Sequence, residues 1–264
     1  MENVGVEVVL GVSPVAGLKN FVLLDSPAFG ALDFGAVSHV AVLGDAATFS
    51  LALNALALRY GHERLGTWIF RRIDPKGGLM DLPRAETYEY ADLGEILVRS
   101  ALGAPLSTYF LSRVSLGFGA DLGRLKRSGS VLGRLGASLA LLTRQTPRRL
   151  DVELADARST VDVTDFHVVV SPRPSRADPA DPRIAPGDFG VFLHPVESKP
   201  ALVLTHFLGG GRRAFGFAYR EEARSPWIRL QSSEELVLLA DGLELKGRQF
   251  ELRCWRSCLR VAGV

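Results

Sequence analysis

The sequence predicts an α/β half followed by a mainly β half, and three observations carry that reading. Up to about Ala104, apolar runs of strand length alternate with helix-length stretches, the pattern of a parallel sheet covered by helices. After Pro147 the apolar runs are short and separated by turn residues, as in an antiparallel sheet or sandwich. The 264 residues are 47% hydrophobic and 23% charged, enough apolar material for one large domain or two modest ones.

In chain order, Phe21 to Leu24 is a short apolar run closed by Asp25-Ser-Pro27, a strand and turn. Val37 to Leu43 is a second strand, running through Gly44-Asp45 into a helix over Ala46 to Arg59. The apolar content of that helix implies burial on most sides. Trp68 to Ile73 reads as a strand. Ala91 to Leu102 reads as a helix, with Asp92 and Glu95 near its start, where the dipole favours acids. A boundary falls near Ala104-Pro105. Thr108 to Leu116 is strand-like, and Val131 to Thr143 helical. The strands that follow are Arg149–Leu154, Phe166–Ser171, Val191–His194, Trp227–Gln231, Glu235–Leu239 and Gln249–Arg253. Asp241-Gly242 is a hairpin turn signal, and Arg173 to Pro186, rich in proline and aspartate, is a loop.

Several classes are excluded. The apolar content argues against disorder, and the net charge of +2 gives no electrostatic footprint for nucleic acid. The start, Met1-Glu2-Asn3, lacks a basic region ahead of an apolar one, and no uncharged stretch reaches about 18 residues. The expected location is therefore cytoplasmic. Cys254 and Cys258 are too few for a structural zinc site and are expected to be buried and reduced; on a strand, their spacing puts both on one face. No metal-ligating set is expected.

Four segments carry a more specific signal. Leu43-Gly-Asp-Ala-Ala-Thr48 leads into a helix containing Asn54-Ala-Leu56. Asp74-Pro-Lys-Gly-Gly-Leu-Met-Asp81 is a glycine-containing loop. Phe110 to Asp121 ends in Leu116-Gly-Phe-Gly-Ala-Asp121. The C-terminal stretch holds Arg148-Arg-Leu-Asp-Val-Glu153, Ala185-Pro-Gly-Asp-Phe-Gly190 and Leu238-Leu-Ala-Asp-Gly-Leu-Glu244. In this order they resemble the catalytic family of diacylglycerol kinases, bacterial lipid kinases whose superfamily includes the NAD kinases. The resemblance implies a Rossmann-like α/β domain over 1–104 and a β-sandwich domain over 105–264, with substrates in the cleft between them. It implies phosphoryl transfer from ATP, with Mg2+, to a lipid hydroxyl. Gly44, Asp45, Thr48, Gly77 and Asp81 would then line the nucleotide site.

The sequence departs from that pattern where the chemistry is most demanding. Ala46 and Ala47 replace Gly and Thr in the family's GGDGT turn, which a Cβ would restrict. The turn reads either as a phosphate cradle or as an inherited feature of the fold. Gly78 and Met80 replace the Thr and Asn of the second loop. Leu193 stands at the position expected for the catalytic base, leaving Asp188, or His194, as a substitute. Asp188-Phe-Gly190 lacks every companion motif of a protein kinase. Catalysis is therefore expected to be weakened or lost, leaving a lipid- or partner-binding module or an ATP-binding regulator as the alternative.

Two basic features complete the reading. Between Leu122 and Leu150 stand seven basic residues (Arg124, Lys126, Arg127, Arg134, Arg144, Arg148 and Arg149) and no acid. They suit docking on an anionic lipid or membrane surface, or simply solvated helix ends. Gly209-Gly-Gly-Arg-Arg213 reads as a phosphate grip or as a glycine turn after a helix. The expected partners are a lipid surface and a second copy of the chain, not nucleic acid.

Overall fold

A computed structural model describes residues 6–13, 20–73, 88–99, 106–125, 140, 146–170, 187–194 and 220–262. The chain forms two compact units, one of Met1–Leu93 with Trp255–Val264 and one of Gly94–Cys254. This division differs from the boundary near Ala104-Pro105, because the strand from Tyr88 to Arg99 turns back within the second unit and the last ten residues belong to the first.

In the first unit, strands β1 (Val6–Gly11), β2 (Phe21–Leu23), β3 (Val37–Leu43) and β4 (Ile69–Ile73) are parallel, in the order β2-β1-β3-β4. The end of the chain's last strand adds beside β4, pairing Arg260 with Ile69. β1 is missing from the sequence-based assignment, although Val8, Val9 and Leu10 are buried. Helix α1 (Pro27–Ala31) is capped by Ser26, and α2 (Ala46–Tyr60) by Asp45. α2 buries Phe49, Leu53 and Leu56, but Leu58 is 92% exposed, so burial is less complete than its composition predicts. Around the 3-10 turn His62–Thr67, Phe34 and Tyr60 each meet Trp68 edge to face and meet each other at a tilt. The indole N–H of Trp68 donates to the Phe34 carbonyl at 3.3 Å, giving the buried ring the polar partner it needs.

The second unit is almost wholly antiparallel. It contains β5 (Tyr88–Arg99, from Gly94), β6 (Leu106–Phe110), β7 (Arg113–Gly117), α3 (Phe118–Leu125), β8 (Arg148–Leu154), β9 (Arg158–Val163) and β10 (Asp165–Val170). β11 (Phe189–His194), β12 (Arg220–Ser225), β13 (Trp227–Ala240) and β14 (Leu243–Ala262, to Cys254) complete it. β12, β11, β10, β7, β13 and β14 are successive neighbours, while β8 pairs with β9 and β13, and β5 with β6 and β14. β13 serves two partners because its register shifts between Gln231 and Leu236. Its first part meets β8 and its last part meets β7. One apolar core collects Leu150, Val152, Phe166, Val168, Ile228, Leu238, Phe250 and Leu252, and in it Phe110 of β6 stacks on Phe189 of β11 at 5.9 Å.

Several elements correct the sequence-based assignment. Ala91 to Arg99 is not helical: it lies in β5, whose Leu93, Ile96 and Val98 are buried; the rest of the expected helix, to Leu102, lies outside the described residues. Paired with β6, Glu95 takes hydrogen bonds from Ser107 Oγ and Tyr109 OH, which outweighs its value near a helix start. Thr108 to Leu116 is two strands, broken at Leu111-Ser112. The strands at Trp227 and Glu235 are one strand with an irregularity, and Gln249–Arg253 lies inside β14. Ser257, at φ 48°, interrupts the alternation of β14, so the spacing of Cys254 and Cys258 does not guarantee a shared face. The two cysteines form no disulfide and are half-buried rather than fully buried as expected, and burial followed by the Asp92 charge pushes the Cys258 thiol up to about 12. The helix over Val131 to Thr143, apart from Ala140, and the loop Arg173 to Pro186 lie outside the described residues.

The Asp241-Gly242 turn is as expected, with Ala240 opposite Leu243 and φ values of 44° and 97°, the positive pair that a two-residue hairpin favours. Its carboxylate reaches further. It accepts from the backbone N–H groups of Leu111 (2.6 Å), Ser112 (3.0 Å) and Arg113 (2.8 Å) and from Ser112 Oγ (2.6 Å). Hydrogen bonds to a charged acceptor are individually the stronger kind. Asp241→Ala is expected to cost roughly 2 kcal/mol, read as a lower urea midpoint at unchanged slope.

On the face of β13, β14 and β5 away from this core, Glu251 is ringed by guanidinium groups: Arg253 at 2.5 Å, Arg99 at 3.0 Å and Arg229 at 3.9 Å. The hydrogen bond from Arg253, outweighing burial and aided by Arg99, holds its carboxyl below the usual carboxylate range. A depressed folded value stabilises the native state above the unfolded value, about 4.3, and loses that stabilisation as pH falls through the folded one. Glu251→Gln should lower Tm at pH 7, with the gap to the parent closing below about pH 4.

Candidate functional site

The β3–α2 turn is where the sequence concentrates its candidate nucleotide contacts, and it brings Gly44, Asp45 and Thr48 together. β3 ends at Leu43, and the Gly44 N–H donates to the Ile73 carbonyl at 3.0 Å, fixing the turn against β4. Gly44 has φ 150°, and a Cβ there would meet the Thr48 Cβ at 2.6 Å. Glycine is needed so that the first turn of α2 can fold back onto the strand.

Asp45 follows at φ −79°, ψ −177°, an extended N-cap. Its Oδ1 accepts from the Thr48 backbone N–H at 2.9 Å and from Thr48 Oγ1 at 3.0 Å. A helix N-terminus attracts anions through free N–H groups and the positive end of its dipole. Here the carboxylate of Asp45 satisfies one of those groups, the Thr48 N–H. Thr48 is buried beneath it, so its hydroxyl serves the cap. The Asp45 carboxylate thus places a negative charge at the N-terminus of α2, beside the donors that a phosphate would use.

Gly77 and Asp81 lie outside the described residues, as do Gly209 to Arg213. Asp188 is in the second unit, half-buried, between Gly187 (φ 93°) and the start of β11. Leu193, at the expected position of the base, packs against the apolar core of that unit. Of the basic stretch, Arg124 lies 2.8 Å from Asp121 and 2.9 Å from Glu244, so it is neutralised within the protein. Arg148 and Arg149 open β8, and the others are outside the described residues.

Sequence reasoning missed one polar constellation, Ser115, Asp165 and His167, all buried. The available signal was weak: polar residues alternate with apolar ones in Asp165-Phe-His-Val168, which marks a strand without marking what its polar face does. Among the described residues no group of three or more His, Cys, Asp or Glu side chains could hold a metal ion. None of the described helices is long and apolar enough to cross a membrane.

The cap makes a quantitative demand. Asp45→Ala should destabilise the protein by about 1 kcal/mol, whereas Asp45→Ser, which can still accept from Thr48, should recover most of it in thermal or urea unfolding.

No family model matches this sequence, and no curated protein does. Solved structures match over nearly the whole chain. A candidate diacylglycerol kinase from Bacillus anthracis str. Sterne superposes with a TM-score of 0.62 at 11% identity, covering 98% of this chain and 97% of that one. A diacylglycerol kinase from the same strain gives 0.60 at 12% identity with the same coverage. A third structure from that strain, also a candidate diacylglycerol kinase, gives 0.62 at 13%, covering 98% and 96%. The chain thus has the diacylglycerol kinase fold, an N-terminal α/β region followed by further strands, with almost none of the sequence in common.

Proposed function

We propose that this chain is a diacylglycerol kinase-like protein in which ATP-dependent phosphoryl transfer to a lipid hydroxyl is weakened or lost. What remains is a module that binds a lipid or a protein partner. The fold supports the first part of the reading. The single observation behind the second is the Asp45 carboxylate seated on the N-terminus of α2, where a transferring enzyme needs donors for phosphate. Phosphoryl transfer is mostly positioning and electrostatic stabilisation, so a turn that repels phosphate removes the larger part of the catalysis.

The acceptor side points the same way. A hydroxyl must lose its proton as it attacks, and a positioned base contributes about 10²–10⁴-fold. Leu193 cannot accept a proton and faces apolar side chains. Asp188 is the carboxylate two residues before Gly190 that is left to substitute. A peripheral encounter with an anionic membrane would rest on the basic residues from Lys126 to Arg144, with the balancing charge of Arg124 already met by Asp121 and Glu244.

Purified protein with MgATP and a panel of diacylglycerols is expected to give no turnover above background and no thermal stabilisation by MgATP. Stabilisation without turnover would indicate an ATP-binding regulator. Robust turnover that disappears in Asp188→Asn would overturn the reading and identify the base.

A further inference from the structure

The second unit contains a buried polar chain that the proposed function does not use. Ser115 of β7 and His167 of β10 are cross-strand partners, and Asp165 precedes His167 by two residues, so the three share one side of the sheet. His167 Nδ1 lies 2.8 Å from Ser115 Oγ, and its Nε2 lies 3.1 Å from Asp165 Oδ2. The other carboxylate oxygen of Asp165 accepts from the Gly119 N–H at 2.9 Å. Gly119 is the second residue of α3, and the Phe118 N–H before it donates to the Thr164 carbonyl at 3.2 Å. The first turn of α3 therefore rests on β10. Gly119 lies so close to the imidazole that a Cβ would run into it.

A hydroxyl, an imidazole and a carboxylate in a row suggest nucleophilic chemistry, but Ser115 is 3% exposed and Asp165 and His167 are 0%, so no substrate reaches them. Proton counting gives a different role. A carboxylate only accepts, so Nε2 must carry a proton, and in the neutral ring Nδ1 accepts from the Ser115 hydroxyl. Both carboxylate oxygens are then engaged, one by the ring and one by the first turn of α3, whose dipole the charge complements. A proton added to His167 leaves both bonds of Asp165 in place and turns its partner into a cation. A proton added to Asp165 removes the negative charge and converts one acceptor oxygen into a donor, which breaks a bond.

We propose that the charged Asp165 carboxylate is the latch that fixes α3 on the sheet, and that His167 sets how far acid must go before the latch opens. The imidazole takes the first proton and thereby keeps the carboxylate charged. Among the described residues, other charged or titratable groups stand on the elements packed against this chain. β11 brings His194 opposite Asp165, and β7 brings the exposed Arg113 two residues from Ser115. α3 carries Asp121 and Arg124, paired with each other, with Glu244 of β14 on Arg124. β13 meets β7 through Leu238, Leu239 and Ala240, all apolar.

Amide hydrogen exchange of residues 118–125 between pH 8 and pH 4, corrected for intrinsic rates and referred to the amides of β8 and β9, tests this. In the parent, protection of α3 should hold through mild acid and then fall roughly ten- to hundredfold, the worth of a lost hydrogen bond to a charged acceptor. Asp165→Asn should show low protection of α3 at every pH. His167→Gln, which keeps a donor toward Asp165 but cannot become a cation, should be protected at pH 8 and lose protection at a higher pH than the parent. Should Asp165→Asn not fold, the His167→Gln profile decides. Superimposable profiles for His167→Gln and the parent, or an Asp165→Asn protein with α3 fully protected, would overturn the proposal.

Discussion

The four hydrogen bonds that converge on the Asp241 carboxylate are the interaction on which the second unit is organised. A two-residue turn sets the register of β13 against β14, and a one-residue slip there would carry every side chain of both strands to the opposite face. The carboxylate also gathers the backbone N–H groups of the β6–β7 connection, so one side chain fixes two turns. From this point β13 runs back past β7 to β8, and β14 runs past the Glu251 cluster to the end of the chain. Leu238, Phe250 and Leu252 enter the core because that turn aims them there.

Much of this was legible from residue pattern alone. Val37 to Leu43 has the apolar run of a strand and Ala46 to Arg59 the length and apolar content of a helix, and Asp241-Gly242 has the residues that positive φ requires. The failures have physical causes. Ala91 to Leu102 carries acids near its start that suit a helix, yet partner hydroxyls on β6 accommodate Glu95 in a strand. Val6 to Gly11 is short and interrupted by Glu7, which Arg71 of β4 neutralises, a pairing between residues far apart in sequence. Local pattern cannot show either partner.

The candidate site was legible as a location and not as a chemistry. Strand, glycine, acid and helix identify the turn, and Gly44, Asp45 and Thr48 do meet there. What sequence cannot give is the direction of one carboxylate. Asp45 turned outward would leave the Thr48 N–H to an anion; turned inward, it takes that donor for the helix cap. The fold shared with diacylglycerol kinases at 11–13% identity says that this architecture tolerates near-complete replacement of its side chains. Function in such a scaffold is decided by a few orientations.

The return of residues 255–262 to the first unit has a consequence for how the molecule is made. A ribosome delivers the strands of that parallel sheet from Val6 to Ile73 early, but the strand that covers the open side of β4 emerges only after the whole second unit. Throughout synthesis of the second unit, β4 therefore presents an unsatisfied row of backbone donors and acceptors, the kind of edge that recruits foreign strands. Closure of the N-terminal fold is thus late in sequence and high in contact order.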